Sequence, residues 1–315
     1  MTAPDEHTDT STPASCERPL HDRGEHGATD HQATEHEATE HQATEHQAGS
    51  STERHDAHRR AQPTLRRTSD GSPTLHHPTY AQTYHSTHGA WTESLHVFVH
   101  GTGVLDHARR AGSVRVLEVG FGTGMNFLAT VATLPADARL DFVSFERDPL
   151  PADTLRTLRL TDLPGVDASL VTALIRMSED GASTLSWGDS DRVRLRIIPG
   201  DASQHVLEAG WLERLAGEAA RTTSGSRPSS GQTGGFDAIY HDAFSPEANP
   251  ELWSESFLEA LVSALRPGGV LGTYTVQGAV RRTLAGLGLD VRRTDGPAGG
   301  KRQVLRAQRS GPPED

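Results

Sequence analysis

One segment of the chain, residues 114–127, reads Val-Arg-Val-Leu-Glu-Val-Gly-Phe-Gly-Thr-Gly-Met-Asn-Phe. It starts with β-branched and large apolar residues, passes through three alternating glycines, and continues with apolar residues at helical spacing. This order predicts a buried strand, a tight turn and a helix. Glycine has no Cβ, so it tolerates positive φ and lets a ligand approach the backbone, and the first N–H groups of the helix face that ligand. The segment therefore predicts a ligand-binding strand end.

An acid two residues before the first glycine makes this turn more specific. The segment Glu118-Val-Gly120-Phe-Gly122-Thr-Gly124 resembles the first motif of class I S-adenosylmethionine methyltransferases more than the G-x-G-x-x-G fingerprint of dinucleotide-binding folds. On this resemblance, Glu118 and the three glycines are candidate residues for binding the methyl donor. A nicotinamide-binding turn and a purely structural glycine turn are the alternatives.

The composition of the chain limits its class of function. Its 315 residues, of which 34% are hydrophobic, can form one sizeable α/β domain. The single cysteine, Cys16, allows no intramolecular disulfide, which is typical of a reducing compartment. No apolar run approaches the roughly 20 residues that span a bilayer, so we expect a soluble, cytoplasmic protein that contacts no membrane. The net charge of −12 argues against a surface that attracts nucleic acid generally.

The first 62 residues differ from the rest in composition. They contain almost no large apolar side chains and repeat a five-residue unit, as in Ala43-Thr-Glu-His-Gln. Such a segment buries too little apolar surface to offset its ordering entropy. We predict a disordered His-rich tail at 1–62, a folded domain at 63–309 with a flexible loop at 216–235, and a disordered end at 310–315. Weak metal binding is the alternative role for the repeat histidines, which are His31, His36, His41 and His46.

Three further predicted strands each run toward an acid. They are residues 140–145, before Glu146; residues 194–198, before Asp201; and residues 238–240, before Asp242. Ligands bind at the carboxyl ends of the strands in a doubly wound sheet, so these acids should lie along one edge with the glycine turn. Glu146 can accept hydrogen bonds from two ribose hydroxyls, and Asp201 can accept one from an adenine amine.

The remaining patterns complete a predicted α/β fold with a doubly wound, mostly parallel sheet. Residues 65–105 predict an N-terminal lid region, in which Glu93 is either a ligand contact or a solvated surface carboxylate. Residues 151–188, including Leu185, are interpreted as helices. Asn249 and Pro250 predict the start of a helix that ends at the Pro-Gly-Gly segment 267–269. The last predicted elements are a strand at 270–276, a helix at 279–287 and a closing strand pair at 289–293 and 303–307.

Two later motifs make the comparison with known families specific. The first is Asp242-Ala-Phe-Ser-Pro-x-x-Asn-Pro-Glu-Leu-Trp253, and the second is Gly300-Lys-Arg-Gln303. Together with the glycine turn and the strand-end acids, they make residues 80–307 resemble the MnmD / MnmC N-terminal methyltransferase family. The resemblance implies a class I, Rossmann-like fold and S-adenosylmethionine as the cofactor, with no metal.

The resemblance also implies a reaction. Members of this family methylate the aminomethyl group of a modified wobble uridine in tRNA, giving 5-methylaminomethyl-2-thiouridine. Asp242 is then the expected catalytic residue, because an alkyl ammonium is mostly protonated near neutral pH and a carboxylate can orient the amine and accept its proton. A separate oxidoreductase that prepares the amine is an expected partner. We expect four residues to contact the substrate, namely Glu93, Phe244, Lys301 and Arg302.

Some interpretations remain open at this point. His241 is either a structural strand histidine or a second proton acceptor, and Trp253 is interpreted as structural. A small-molecule methyltransferase of the same fold and a non-catalytic donor-binding or scaffold protein with a metal-binding tail are the alternative functions. A phosphate-binding strip is predicted if the C-terminal basic residues share one face, and these are Arg281, Arg282, Arg292, Arg293, Lys301, Arg302 and Arg306.

Overall fold

The computed structural model describes residues 62–212, 214–215 and 235–311. Nearly all of the predicted tail, with its histidine repeat, lies outside the described residues, as do residues 216–234 of the predicted loop and residues 312–315. No helix in the described part of the chain combines the length and apolar character needed to cross a membrane.

The strand that precedes the glycine turn lies inside the main sheet, with a neighbouring strand on each side. Val114, Val116, Leu117 and Val119 are buried β-branched or large apolar residues, and they form a central strand, as expected. The strands in chain order are β1 Thr64–Arg67, β2 Pro73–His77, β3 Gln82–Thr83, β4 Ser113–Val119, β5 Arg139–Glu146, β6 Thr184–Trp187, β7 Val193–Pro199, β8 Phe236–His241, β9 Leu265–Thr273, β10 Leu289–Asp295 and β11 Gln303–Arg309.

Eight of these described strands form one mixed sheet in the order β10-β11-β9-β8-β4-β5-β7-β6. The pairs β9·β8, β8·β4, β4·β5 and β5·β7 are parallel, whereas β10·β11, β11·β9 and β6·β7 are antiparallel. The doubly wound, mostly parallel α/β prediction is therefore confirmed. Because the inner strands are parallel, their carboxyl ends lie at the same edge.

Helices cover both faces of this sheet. Successive residues of β4 alternate between the faces, so that Val116 belongs to one hydrophobic core and Leu117 to the other. The helices are α1 Ala90–Glu93, which continues as a π-helical segment Ser94–His100, α2 Val104–Ala111, α3 Met125–Thr133, α4 Ala152–Leu158, α5 Ala168–Glu179, α6 Ala202–Leu207, α7 Glu255–Ala264 and α8 Gly278–Gly286. Single 3₁₀ turns occupy Leu160–Asp162, Asp189–Asp191 and Pro250–Trp253.

The region predicted as an N-terminal lid contains a small sheet of its own. Strands β1, β2 and β3 pair in that order as an antiparallel sheet, and α1 follows them. The sequence indicated the helix but not these strands. The side chain of Gln82 in β3 bonds to Ser245, which follows β8, so this sheet packs beside the carboxyl edge of the large one.

Three local predictions are wrong. Leu185 lies in strand β6 and not in a helix, because α5 ends at Glu179 and Gly181 takes a positive φ of 61° that a helix cannot accommodate. Asn249 does not cap the long helix: the residues after it form the 3₁₀ turn, and the Ser254 hydroxyl accepts from the Phe257 N–H at 3.3 Å to cap α7. Helix α7 ends at Ala264, and the Pro-Gly-Gly segment belongs to β9.

Candidate active site

A cavity of about 730 Å³ opens at the carboxyl edge of the sheet. This volume lies within the range of roughly 300–1,000 Å³ that is usual for small-molecule sites. Its walls bring together most of the residues that the sequence pointed to, namely Glu93, Gly120, Gly122, Glu146, Asp201, Asp242, Phe244 and Lys301. Among the predicted site residues, Glu118, Gly124 and Arg302 do not line it.

The glycine turn forms the floor of the cavity, and two of its positions exclude a side chain. Gly120 has a φ of 94°, and a Cβ there would lie 2.8 Å from the carbonyl oxygen of Asp242. Gly122 has a φ of 52°, and a Cβ there would lie 2.8 Å from Cδ1 of Tyr84. Gly124 has a φ of 76° and directly precedes α3. Its left-handed conformation sets the start of the helix, and it does not line the cavity. The turn therefore requires glycine for both conformation and space.

Glu146 stands at the end of β5 against this turn. Its Oε2 accepts a hydrogen bond from the N–H of Gly122 at 2.7 Å, and its Oε1 accepts one from the N–H of Asp148 at 2.9 Å. Burial raises the pKa of this carboxyl. The predicted strand-end acid therefore lies at the cavity and also holds the glycine turn in place.

Asp201 lies at the end of the next predicted strand and lines the same wall. Its Oδ1 accepts hydrogen bonds from the N–H and the hydroxyl of Ser203, at 2.9 and 2.7 Å, so it caps α6. Oδ1 is thus used to cap the helix, and these hydrogen bonds fix the side chain at the cavity wall.

Glu118 is placed differently from the expectation, because it lies behind the cavity and not at its surface. Only 1% of it is exposed, and it accepts hydrogen bonds from Asn126 Nδ2 at 3.0 Å and from the Ser144 hydroxyl at 2.7 Å. Burial raises its pKa to about 8, so the buried carboxyl is largely protonated near neutral pH. Glu118 therefore supports other site residues and does not contact a ligand itself.

Asn126 is the functional residue that the sequence reasoning missed. It is 3% exposed in the first turn of α3, and its Nδ2 donates both to Glu118 and to Oδ2 of Asp242, the latter at 2.8 Å. Its position two residues after the last glycine of the turn was the available signal. Asn126 links the glycine-turn helix to the expected catalytic acid.

Asp242 follows β8, and its N–H donates to the carbonyl oxygen of Val119 at 3.0 Å, which fixes it beside the glycine turn. Burial, followed by the negative charge of Glu93, raises its pKa well above the usual value for an aspartate, while the Asn126 hydrogen bond acts in the opposite direction. The predicted catalytic residue is therefore a carboxyl of high proton affinity that faces the cavity.

Glu93 and Lys301 meet at the same end of the cavity. Glu93 Oε2 accepts from the N–H of Ser86 at 2.7 Å, and its Oε1 lies 3.5 Å from the Lys301 ammonium. The Lys301 nitrogen also lies 3.6 Å from the ring centroid of Tyr274, a cation–π contact. Glu93 is a buried acid in this setting and not a solvated surface carboxylate.

Aromatic side chains cover the cavity on the side of the small sheet. The ring of Phe244 lies 4.5 Å from Tyr80, 5.4 Å from Tyr84 and 5.6 Å from His77, measured between centroids. All four residues line the cavity. The predicted lid region therefore supplies an aromatic wall, and Phe244 is part of it.

Three side chains form hydrogen bonds to the loop after β8. Gln82 donates to the Ser245 hydroxyl at 2.8 Å and accepts from its N–H at 3.2 Å. The Trp253 indole donates to the carbonyl oxygen of Phe244 at 2.8 Å, and the Tyr274 hydroxyl donates to that of Ala243 at 2.8 Å. Trp253 is therefore structural, as interpreted.

Comparison with known proteins now identifies the family. Residues 177–310 match a family described as "S-adenosyl-L-methionine-dependent methyltransferase". The chain is 32% identical over 238 residues to the tRNA 5-methylaminomethyl-2-thiouridine biosynthesis bifunctional protein MnmC of Burkholderia mallei strain SAVP1, covering 72% of this chain and 33% of that protein. The crystal structure of MNMC2 from Aquifex aeolicus matches with a TM-score of 0.59 at 27% identity, covering 81% of this chain and 73% of that one. The chain belongs to the MnmC-related methyltransferases.

The methyltransferase also matches MnmC of Burkholderia pseudomallei strain K96243, at 32% identity over 241 residues, with the same coverage of 72% and 33%. It thus spans about one third of the length of these curated relatives. The class I fold and S-adenosylmethionine as the methyl donor are confirmed.

The cavity of this methyltransferase fits that donor. Glu146 and Asp201 present carboxylates, which suit ribose hydroxyls and an adenine amine, along one wall. The glycine turn provides a surface without Cβ atoms, where a side chain at Gly120 would collide with the backbone. Phe244, Tyr80 and Tyr84 add the flat apolar surface that a nucleoside ring can pack against.

The structure places the His241 side chain away from the cavity of the methyltransferase. His241 packs on Trp253, with 4.1 Å between ring centroids, and on Phe257, and it does not line the cavity. Burial lowers its pKa to about 3, so it stays neutral. The structural interpretation of His241 is favoured over a second proton acceptor, because its ring belongs to the opposite face of the sheet.

The predicted single strip of C-terminal basic residues is not formed. Arg292 pairs with Arg306 across β10 and β11, and Arg306 donates to the carbonyl oxygen of Gly101 on the α1–α2 face. Helix α8, which carries Arg281 and Arg282, packs its apolar residues on the core of the other face. Side chains alternate along a strand, so the basic residues are divided between the faces. Arg302 is exposed and lies outside the cavity.

Proposed function

We propose that this methyltransferase transfers a methyl group from S-adenosylmethionine to the aminomethyl group of a modified wobble uridine in tRNA, giving 5-methylaminomethyl-2-thiouridine. The observation that carries the proposal is the position of Asp242: a half-buried acid that faces the cavity directly beside the glycine turn, with Glu93 as a second acid. Two acids at one end of a cavity suit a substrate that arrives as a cation. The names of the MnmC relatives support the same substrate.

Within this proposal, the donor is held at the glycine-turn end. Gly120 and Gly122 let it approach the backbone, Glu146 accepts from its ribose, and Asp201 accepts from its adenine amine. Gly124 and Glu118 contribute indirectly, by setting the start of α3 and by holding Asn126. When bound, S-adenosylmethionine supplies an electrophilic methyl group on a positively charged sulfur.

The substrate amine is deprotonated at the other end of the cavity, beside Asp242. It must lose a proton before its lone pair can attack, because the ammonium has no free electron pair. Asp242 is placed to accept a hydrogen bond from the amine, to aim its lone pair and to take the proton. A carboxyl with a raised pKa holds a proton more tightly and is therefore a better acceptor for this step. Asn126 fixes the carboxylate so that the amine and the methyl group meet in line.

The aromatic wall suits the uracil ring. Proteins that recognise single-stranded RNA loops commonly stack an extruded base on aromatic side chains. Phe244, Tyr80 and Tyr84 offer such a surface beside the acid pair. The division of the basic residues between two faces means that tRNA phosphates are contacted at several places and not along one strip.

The proposed reaction places the enzyme with other tRNA-processing activities in the cytoplasm. The aminomethyl group is not a normal part of uridine, so another enzyme must supply it, and a separate oxidoreductase is the partner that we propose. The domain limits that we propose remain a methyltransferase domain at 63–309, with a tail, an internal loop and a C-terminal end that fall largely outside the described residues.

The test is to incubate the protein and S-adenosylmethionine with tRNA that carries 5-aminomethyl-2-thiouridine, and then to digest the tRNA for mass spectrometry. We expect the wobble nucleoside to gain the mass of one methylene group. Retained donor binding with no such gain would contradict the tRNA substrate and favour a small-molecule acceptor. Calorimetry without donor binding would instead favour a scaffold.

A further inference from the structure

Lys301 is the residue whose charge the proposed reaction has not yet used. Its ammonium reaches into the cavity from the loop between β10 and β11, and it is positioned beside the two acids that await a cationic substrate. A positive charge at that place opposes the binding of an ammonium, so its presence needs an explanation other than attraction.

The position of Lys301 is held by the surrounding structure. The loop is closed by hydrogen bonds from the Gly296 N–H to the Arg302 carbonyl oxygen and from the Gly300 N–H to the Pro297 carbonyl oxygen, at 2.9 and 3.0 Å. The ammonium itself lies 3.5 Å from Glu93 Oε1 and 3.6 Å from the Tyr274 ring centroid. Both partners are fixed in turn, Glu93 by the Ser86 N–H and Tyr274 by the Ala243 carbonyl oxygen.

The balance of charge decides what Lys301 does. Glu93 and Asp242 alone would stabilise a bound ammonium, and an ammonium cannot accept a methyl group. The Lys301 charge compensates that of Glu93 and also acts to lower the pKa of Asp242, so the amine and Asp242 together hold a second proton less readily. A second cation close to this pair disfavours the charged form of the amine.

We propose that the charge of the Lys301 ammonium keeps the bound amine and Asp242 from holding two protons at once, so that they share one proton and the amine can take its neutral form before methyl transfer. This inference rests on the proposed function. The proton moves from the ammonium nitrogen to the Asp242 carboxylate, and the freed lone pair forms the new C–N bond while the C–S electron pair stays on sulfur. In this proposal Lys301 acts by its charge and not as an acid or base.

The titration of this pair is sensitive to every charged group around it. Asp242 and the amine titrate as a coupled pair, so a rate profile reports their joint value. His85 is buried, and burial lowers its pKa to about 4, so it is neutral there. The titratable groups that face this end of the cavity or act on it are Asp70, His85, Glu93, Glu118, Asp242, Glu247 and Tyr274.

The test is the pH dependence of single-turnover methylation at saturating donor and tRNA, for the wild type, Lys301→Met and Lys301→Arg. Methionine keeps an unbranched stem but removes the charge, and arginine keeps the charge. We expect Lys301→Met to move the acid limb of the profile upward by about one pH unit, with a roughly tenfold loss of rate on that limb and convergence with the wild type at high pH. We expect Lys301→Arg to keep the wild-type limb.

Arg110→Met is the matched control, because it removes an exposed positive charge from the last turn of α2. It should leave the profile unmoved, and calorimetry with S-adenosylmethionine should show that every variant still binds the donor. A Lys301→Met rate that falls by the same factor at every pH, or a change in the KM for tRNA alone, would overturn the inference. A wild type that methylates no aminomethyl tRNA at any pH would instead overturn the proposed function itself, and this inference with it.

Discussion

The two ends of the cavity, which we propose bind the methyl donor and the methyl acceptor, are built in different ways. The donor end consists of a glycine turn and acids at strand ends, each of which belongs to a continuous strand–turn–helix segment. The acceptor end consists of side-chain pairs that are distant in the chain: Gln82 with Ser245, Glu93 with Lys301, and Asn126 with Asp242, separated by 163, 208 and 116 positions.

This difference predicts that substitutions at the two ends of the cavity have different effects. The donor end presents backbone and strand-end carboxylates, which the sheet itself holds in place. The acceptor end depends on contacts between the small N-terminal sheet, the loop after β8 and the C-terminal hairpin. We therefore expect substitutions at the acceptor end to change the chemical step while the donor still binds.

The largest effect is expected for Asp242→Asn. Without a carboxylate the amine loses its proton acceptor, so kcat should fall by about a thousandfold, while the affinity for S-adenosylmethionine should change little. Single-turnover kinetics and calorimetry measure the two quantities. Asp137→Asn, at an exposed position before β5, is the control and should behave as the wild type. A collapse of donor affinity in Asp242→Asn would mean that Asp242 belongs to the donor end.

Gly120→Ala should affect both ends of the cavity, because Gly120 lies in the glycine turn and contacts the backbone of Asp242. The new Cβ would lie 2.8 Å from the Asp242 carbonyl oxygen at a φ of 94°, so we expect a loss of about 2 kcal/mol in the free energy of unfolding, together with loss of donor binding. Gly286→Ala in α8, where a Cβ meets nothing within 4 Å, is the matched control and should keep full stability. Thermal unfolding and calorimetry provide the readouts, and equal stability of the two variants would contradict the account of the turn.

Asn126→Ala should have an intermediate effect. Losing a hydrogen bond to a charged carboxylate costs about 2 kcal/mol, which corresponds to a roughly thirtyfold lower kcat. The Asn126 bond lowers the pKa of Asp242, so its removal raises that pKa, and the acid limb of the kcat profile should move to higher pH. Asn126→Ser, which keeps a donor group, should recover part of the rate. An unmoved pH profile would show that Asn126 serves only the fold.

The smallest effect is expected for Gln82→Ala. The variant removes both bonds to Ser245 and loosens the small sheet from the loop that carries Phe244. We expect kcat/KM for tRNA to fall about threefold, with donor affinity unchanged. Gln204→Ala, an exposed glutamine in α6, is the comparison variant. A larger loss of donor affinity than of tRNA turnover would place Gln82 at the wrong end of the cavity.

The sequence predicted that the glycine turn and the strand-end acids lie together at one edge of the sheet, and it did so for a physical reason. A buried strand, a glycine turn and a helix are local patterns, and an acid at the end of a parallel strand lies at a known edge of the sheet. The positions of Glu146 at the donor end and of Asp242 at the acceptor end could therefore be predicted from the sequence. Glu118 shows the limit of this reasoning, because its side chain turns inward to Asn126 and Ser144, and strand position alone does not reveal that.

The acceptor end was less predictable, because nothing local in the sequence marks its contacts. Asn126 follows the turn as an ordinary helix residue, and only its distance to Asp242 reveals its role. Strand β1 is exposed along its whole length, so it lacks the apolar alternation that identifies a strand. The helix start predicted at Asn249 is instead at Ser254, because the four residues between them form a separate 3₁₀ turn.

The most direct test of the two-ended site is the single-turnover rate of Glu146→Gln and Asp242→Asn across a range of S-adenosylmethionine concentrations. We predict that Glu146→Gln needs about tenfold more donor but reaches nearly the wild-type rate. Asp242→Asn should saturate at the wild-type donor concentration and remain about a thousandfold slower. Recovery of Asp242→Asn by excess donor, or an equally low limiting rate for Glu146→Gln, would contradict the account.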